Sequence, residues 1–575
     1  MTQRTAAELL VATLEACGVR RIYGITGDSL NAVADAIRRH PQFEWIHTRH
    51  EEAAAFAASA EAHLTGTLAV CAGSCGPGNL HLINGLYDAH RSRVPVLAIA
   101  AQIPSTEIGS EYFQETHPER VFREASAFAE VVSSAAHLPR LLDRAIRTAV
   151  GRRDVAVVVL PGDVSWQTTD AEVPEVWKPD PSGKDAPSAD ELSHLAAALN
   201  GAARVTIFAG AGCADAHAEL LQLATRLRAP IVHTLRGKES VEPDNPFDVG
   251  LTGLLGSPAG YHAMEDADLV LLLGTSFPYR QFYPEQATIV QVDRRPEEIG
   301  RRSHVELGIV ADVRLALTAV LPLIAPRSDN AHLERALDRY AKVGSDYAEL
   351  AIEVPGAKRI HPQLVARLLN ELAPADAIFS ADVGTPTVWA ARYLKFNGRR
   401  RLVGSFNHGS MANALPHAIG AQAAFPGRTV VALAGDGGLS MLMGELLTLR
   451  QQSLPVKVVV FNNGSLGFVE LEMVSAGLLP TATDLVPTDF ARIAEAAGLT
   501  GIRVEQPEAV RPALERAFAT AGPVVVDVAV HRLELITPPK ISWAEASGFA
   551  LFFAKAMLGG REGDVIDLAE SKLFR

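Results

Sequence analysis

The run Gly435-Asp436-Gly437-Gly438 ends one apolar stretch, Thr429 to Ala434. A second, Val456 to Phe461, runs into Asn462-Asn463 and the turn Gly464-Ser465-Leu466-Gly467. A carboxylate at one strand end and an amide oxygen at the next are donors for a hard divalent cation. Mg2+ asks for octahedral oxygen ligands and shares them between a carboxylate or two and substrate phosphates. Asp436 would supply one oxygen, Asn463 its amide oxygen and Ser465 its backbone carbonyl. Two diphosphate oxygens and a water would complete the shell, with Gly437 and Gly438 in the diphosphate-binding turn. A β-turn followed by an unrelated Asn-Gly turn is the alternative.

This spacing resembles the signature of thiamine-diphosphate enzymes, and that cofactor makes two further demands. Its thiazolium C2 must lose a proton, taken by its own aminopyrimidine once a carboxylate hydrogen-bonds the distant ring nitrogen. In Arg49-His50-Glu51-Glu52-Ala53, where a strand passes into an Ala-rich helix, Glu51 is the candidate carboxylate. Taken alone, it is equally a first-turn glutamate stabilised by the helix dipole. The metal motif and the following Gly76-Pro77-Gly78-Asn79 favour the catalytic role. The cofactor must also be bent over an apolar wedge. Phe406-Asn407-His408-Gly409-Ser410-Met411 precedes a small-residue helix, and Met411 is the candidate wedge, with Gly409 and Ser410 allowing close approach. A Met is otherwise flexible core filler.

Further along, Gly210-Ala211-Gly212 after the strand Val205 to Ala209 is a partial dinucleotide fingerprint. Thr252-Gly253-Leu254-Leu255-Gly256, Gly274-Thr275-Ser276-Phe277-Pro278-Tyr279 and Asp293 add amides for a pyrophosphate and a carboxylate for a ribose hydroxyl. FAD or an adenine nucleotide would fit; plain structural turns would leave the same trace. Gly27-Asp28-Ser29-Leu30 superficially matches a serine esterase signature. Such a hydrolase needs a downstream Asp and a His near the chain end, and no histidine follows His531.

These residues need strand ends and helix starts to hold them, and the chain supplies three α/β units. The first has strands at Arg21 to Gly24, Trp45 to Thr48, Leu68 to Ala72, Pro95 to Ala100 and Val155 to Leu160. The second has Val205 to Ala209, Ile231 to Thr234, Leu269 to Leu273 and Ile289 to Val292; the third has Ala377 to Ser380, Thr429 to Ala434, Val456 to Phe461 and Val524 to Val528. The expected fold is therefore α/β, three doubly wound parallel-sheet domains and a C-terminal amphipathic tail. Polar, Pro-rich stretches place the domains at 1–182, 183–334 and 335–530, with the tail at 531–575.

At 575 residues, 48% hydrophobic and 21% charged, the chain has an ordinary globular composition. A net charge of -13 argues against nucleic acid, which needs a basic surface. Cys17, Cys71, Cys75 and Cys213 are few and scattered, as in a reducing cytoplasm. The N-terminus lacks a signal peptide's apolar core, and no stretch is apolar enough to span a bilayer. In the tail, a helix from Asp564 to Arg575 would put Val565, Ile566, Leu568, Ala569 and Leu573 on one face, after Phe549-Ala550-Leu551-Phe552-Phe553. It suits either a helix docked on the protein's own surface or a detachable lipid anchor.

Over essentially its whole length the chain resembles the thiamine-diphosphate- and FAD-dependent pyruvate oxidases, and within them the quinone-linked, membrane-attached kind. Besides the motifs above, the likeness rests on Ala72 to Asn79, Tyr112-Phe113-Gln114-Glu115-Thr116-His117-Pro118, Gly404 to Ala414 and Phe461 to Met473. It implies three domains binding the thiamine pyrimidine, FAD and the Mg-diphosphate. It implies a homotetramer whose sites form between subunits, Glu51 of one facing the clamp of another. Phe113 and Gln114 would contact substrate, and Phe468 and Glu472 would lie between thiamine and flavin. Pyruvate would leave as acetate and CO2, electrons passing through FAD to ubiquinone or a related quinone. The tail becomes a lipid anchor, holding an otherwise cytoplasmic enzyme to the inner face of the cell membrane. An acetolactate-synthase-like carboligase with a structural FAD is the enzymatic alternative, and a nucleotide-binding module the non-catalytic one.

Overall fold

The computed structural model describes residues 3–175, 185–354, 356, 359–534, 547, 551–552 and 555. Three six-stranded sheets organise them, and every ladder within these sheets is parallel. The first contains Arg21–Gly24, Glu44–His47, Ala69–Gly73, Val96–Gln102, Phe128–Val131 and Val155–Pro161. The third contains Ile378–Ala381, Arg401–Val403, Val430–Gly435, Lys457–Asn462, Thr500–Val504 and Val524–Ala529. Numbered along the chain, the strands of both lie in the spatial order 2-1-3-4-6-5. The middle sheet holds Val205–Ala209, Ile231–His233, Asp248–Leu251, Leu269–Leu273, Thr288–Asp293 and Leu307–Val310 in the order 3-2-1-4-5-6, that of dinucleotide-binding doubly wound sheets.

Helices cover both faces of a parallel sheet, so its inner strands are buried on both sides and need unbroken apolar runs. Val96–Gln102 and Val155–Pro161 are buried at every position. Within these three sheets, the five strands absent from the sequence reading are all edge strands: Phe128–Val131, Asp248–Leu251, Leu307–Val310, Arg401–Val403 and Thr500–Val504. An edge strand pairs on one side, and Phe128–Val131, Leu307–Val310 and Thr500–Val504 are accordingly part exposed, with Glu130, Gly308 and Arg503 breaking the apolar run.

The first and third units share one core. The helix Glu51–Thr65 follows the second strand of the first sheet, and its counterpart Ala414–Ala424 follows the second strand of the third. They pack so closely that a Cβ on Gly420 would lie 2.1 Å from the Ala57 carbonyl oxygen. A buried Asp88–His417 pair at 3.1 Å joins the units nearby, with Ser59 donating to Asp88 at 2.8 Å.

Two boundaries move. The helix Ala331–Leu350 runs through residue 334 and packs on the middle unit: His332 pairs with Thr206 at 2.9 Å, and Tyr340 donates to Asp248 at 3.1 Å. The third unit extends past 530, since Glu534 binds His361 and Gln363, each at 2.8 Å. The 182/183 junction lies outside the described residues, as does the Asp564 to Arg575 helix. Of the nearby aromatic run, Phe552 is 1% exposed, and Lys555 Nζ donates to the Gly477 carbonyl at 2.8 Å. Among the described residues no helix is long and apolar enough to cross a membrane.

Candidate active site

At the carboxyl end of the third sheet, Asp436 opens the helix Asp436–Met441. One carboxylate oxygen accepts the Gly437 N–H at 2.9 Å; the other accepts the Gly464 N–H at 2.7 Å, tying the two turns together. Burial pushes this carboxyl up to about 6. The Asn463 amide is pinned by donating to the Arg532 carbonyl at 3.1 Å, which orients its oxygen oppositely, toward the Ser465 N–H at 3.3 Å. Ser465 commits its hydroxyl to Glu470, leaving its carbonyl to offer a cation. A desolvated carboxylate with no basic partner among the described residues, beside an amide oxygen, suits a divalent cation supplying the missing positive charge. Asp436, Asn463 and Ser465 lie together on these two joined turns. Met411 joins them: its Cε lies 3.4 Å from where a Gly437 Cβ would be, which places the wedge candidate against the diphosphate turn. Its loop is fastened by Ser410 N–H to Ser405 Oγ at 3.1 Å and Ser405 N–H to Asn413 Oδ1 at 3.1 Å.

Glu51 is the first residue of its helix and 6% exposed. Its Oε2 meets His81 Nδ1 at 2.9 Å, and the His81 ring stacks on His50 with centroids 4.3 Å apart. A Cβ on Gly78 would stand 3.0 Å from the Glu51 carboxylate, so that position must stay small. None of the polar contacts of Glu51 among the described residues reaches Asp436, Asn463 or Ser465. Gln114 has φ of 63° and accepts from the Cys75 thiol at 3.3 Å. Phe113 beside it is 79% exposed.

A cavity of about 740 Å3 lies where all three units meet. Its size falls in the ~300–1,000 Å3 range of ligand sites. The middle unit contributes Thr252, Leu254, Leu255, the run Gly274-Thr275-Ser276-Phe277-Pro278-Tyr279 and Asp293; the third contributes Ser405 to Gly409 and Phe468. Gly210, Gly212 and Gly253 are not in its wall. Cβ atoms on Gly210 and Gly212 would strike Gly274 at 2.5 and 2.6 Å, and one on Gly253 would strike the Phe277 ring at 2.5 Å. The first two bring the ends of the first and fourth middle strands together at the crevice where the strand order reverses, the usual ligand position in such sheets. Burial raises the Asp293 carboxyl, and its Oδ1 accepts the Arg295 N–H at 3.0 Å. Glu472 stands near enough to Tyr279 for its charge to add to the burial that raises the phenol. Phe468 and Glu472, on the helix Gly467–Ser475, therefore lie at the seam between the middle and third units.

Several wall residues escaped the sequence reading: Arg93, Arg236, Arg295, Arg301 and Arg302 give this cavity a strongly cationic lining. The doublets Arg294-Arg295 and Arg301-Arg302 just after the fifth middle strand were the available signal. Asp382 was also missed; it accepts the Ala414 and Gly435 N–H groups at 2.9 and 3.2 Å and buttresses the Asp436 turn. The esterase alternative fails on geometry. Ser29 Oγ pairs with Ser74 Oγ at 2.9 Å and accepts the Cys75 N–H at 3.1 Å, with no His or Asp side chain bound to it among the described residues.

The three sheets are matched by the three domains of the thiamine pyrophosphate enzymes, and the chain belongs to that family. Residues 4–121 match its N-terminal TPP binding domain, 192–320 its central domain and 382–528 its C-terminal TPP binding domain. The chain is 38% identical over 576 residues to the putative thiamine pyrophosphate-containing protein YdaP of Bacillus subtilis (strain 168), covering 99% of each. It is 33% identical over 541 residues to the pyruvate oxidase of Lactiplantibacillus plantarum, covering 92% of this chain and 89% of that one. It is 32% identical over 550 residues to the acetolactate synthase of Mycobacterium bovis, covering 92% and 88%.

Proposed function

We propose that the protein converts pyruvate to acetate and CO2 with thiamine diphosphate and Mg2+, and passes the electrons through FAD to a membrane quinone such as ubiquinone. The observation that carries this reading is the shared cavity, in which dinucleotide-type loops of the middle unit face Phe468 and the Ser405 to Gly409 segment leading to Met411. When bound, thiamine diphosphate supplies the electron sink for loss of CO2 and FAD the two-electron acceptor. The chain's part is to position and to move one proton. Asp436, Asn463 and Ser465 hold the cation, Met411 supports the bend, and Glu51 holds the proton at the pyrimidine nitrogen. The cationic cavity wall matches a pyrophosphate-bearing ligand.

A homotetramer accounts for two features of the single chain. Glu51 has no polar contact to the cation clamp, and Phe113 stands in solvent; a second subunit would complete both. For the tail, burial of Phe552 and the Lys555–Gly477 bond favour a resting position against the third unit, just past the helix bearing Phe468 and Glu472. From there it would detach to hold the enzyme peripherally on lipid. The resemblance to an acetolactate synthase at nearly the same identity as to a pyruvate oxidase supports a second reading, a carboligase with a structural FAD. Anaerobic addition of pyruvate separates them: the bound flavin bleaches in the oxidase and stays oxidised in the carboligase. Release of labelled CO2 from pyruvate excludes a mere nucleotide-binding module.

A further inference from the structure

Just past the helix that carries Asp436, the third unit sends one carboxylate into the first. Glu445 is 1% exposed. Its Oε1 accepts the N–H groups of both Arg49 and His50 at 2.9 Å each. Its Oε2 accepts the Thr448 hydroxyl at 2.6 Å, and Thr448 also leans on the His47 carbonyl at 3.4 Å. The Arg49 guanidinium meanwhile reaches back to Gln451 on the same segment. Arg49 and His50 are the two residues before Glu51, and His50 caps its helix.

A helix N-terminus leaves its first N–H groups without internal partners, and a carboxylate there is favoured by the helix dipole. Here the carboxylate comes from another unit of the fold, so the start of the helix is held by the third unit as well as by its own His50 cap. Neither amide has another acceptor among the described residues. Any slack at Arg49 and His50 passes directly to the Glu51 Cα, one peptide away. Burial in this position pushes the Glu445 carboxyl up to about 7, as expected of a group held for what it binds and not for its solvation.

We propose that Glu445 is a positioning residue for Glu51: it grips the two amides that precede the catalytic carboxylate and sets where that carboxylate stands relative to the cofactor. The inference rests on the reading of Glu51 given above. In one chain the same strut joins the Asp436 helix to the Glu51 helix, through residues 442–445 on one side and 49–50 on the other.

The test uses the full-length protein and the variants Glu445→Ala, Glu445→Gln and Glu445→Asp. Two quantities are read. The first is amide hydrogen exchange of residues 46–56 in the cofactor-free protein; the second is deuterium exchange at C2 of bound thiamine diphosphate, with its affinity measured separately. Glu445→Ala should lose about tenfold in protection at Arg49 and His50, the worth of roughly one hydrogen bond. It should lose C2 exchange by a comparable factor while cofactor affinity holds. Glu445→Gln keeps an oxygen that accepts both N–H groups and should restore both readouts. Glu445→Asp keeps the charge but is a methylene too short, and should behave like the alanine variant. Wild-type protection at Arg49 and His50, or lost protection with unchanged C2 exchange, in the alanine or aspartate variant would overturn the proposal. So would a glutamine variant as impaired as the alanine one. If Glu445→Ala does not fold, the Gln and Asp pair decides alone. Should Glu51→Gln exchange C2 normally, the reading of Glu51 fails, while the amide protection still reports on the strut.

Discussion

Replacing Gly420 by alanine should destabilise the protein although it improves the helix. In the middle of a helix Gly→Ala is worth about 1 kcal/mol in propensity. Gly420 lies within Ala414–Ala424, and its new methyl would sit 2.1, 2.7 and 2.8 Å from the O, C and Cα of Ala57. All three are backbone atoms of a buried helix, so no rotamer change relieves the overlap. The helices must part by roughly 1 Å, a gap that forfeits a quarter to a half of each dispersion contact along the seam. Overpacking of this kind costs about 1–3 kcal/mol, so the net loss should be up to ~2 kcal/mol. The Asp88–His417 bond across the same seam lengthens with it. Gly344, in the exposed middle of Ala331–Leu350 with nothing within 4 Å of its Cβ position, is the internal control. There the same substitution should gain up to ~1 kcal/mol. Urea unfolding of the two variants at matched protein concentration reads both signs. A Gly420→Ala protein as stable as the wild type would refute the close-packed seam.

Four further outcomes follow from the site and the tail. Asp436→Ala should strip Mg2+ and thiamine diphosphate from the purified protein while the fold survives by circular dichroism; full retention of both would show that the cation is held elsewhere. Glu51→Gln should keep thiamine diphosphate bound and suppress deuterium exchange at its C2, and near-normal exchange would remove Glu51 from the mechanism. Folding raises the Glu445 carboxyl from 4.5 to about 7, so its stabilising share is full below the lower value and is lost as pH rises through the higher. Glu445→Gln cannot ionise, and at ~1.4 kcal/mol per pKa unit it should gain up to about 3 kcal/mol on the wild type between pH 5 and 8; parallel unfolding curves would contradict this. Deleting residues 559–575 should leave decarboxylation and dye reduction intact but abolish liposome flotation, salt-resistant in the full-length protein and enhanced by pyruvate; equal flotation of both would reject the anchor.

The inner strands were legible because a strand covered on both faces must be written in uninterrupted apolar residues, as Val155–Pro161 and Leu269–Leu273 are. Edge strands carry no such demand, and Arg401–Val403 passed unseen. The nearness of Asp436 and Asn463 was legible because they follow two neighbouring strands, Val430–Gly435 and Lys457–Asn462. Gly210-Ala211-Gly212 was legible as a signal but is used differently, its two glycines packing strand ends together while Ala211 and other residues line the cavity. What the sequence concealed are contacts between residues far apart in the chain. Asp382 binds amides 32 and 53 residues on, within its own unit, and Glu445 binds two amides of the first unit; no local pattern marks a carboxylate whose partners are 395 and 396 residues away.

The seam between the first and third units also bears on how the chain is made. Glu51–Thr65 leaves the ribosome about 350 residues before Ala414–Ala424. At ~5–20 residues per second this is a wait of roughly 20–70 s, during which the first unit has its own sheet but not its partner. Its waiting face includes Ala57, against which Gly420 will pack, and the Phe56 ring that will meet His417 edge-on, with Ala54 and Ala58 in the same core; the small alanines keep down the apolar area shown to passing chains. Close approach of the partner backbone at Gly420 then recovers in proximity what such a face gives up in size. A nascent chain stalled before residue 414 should therefore remain soluble, whereas leucines at these alanine positions would make translation itself the hazardous step.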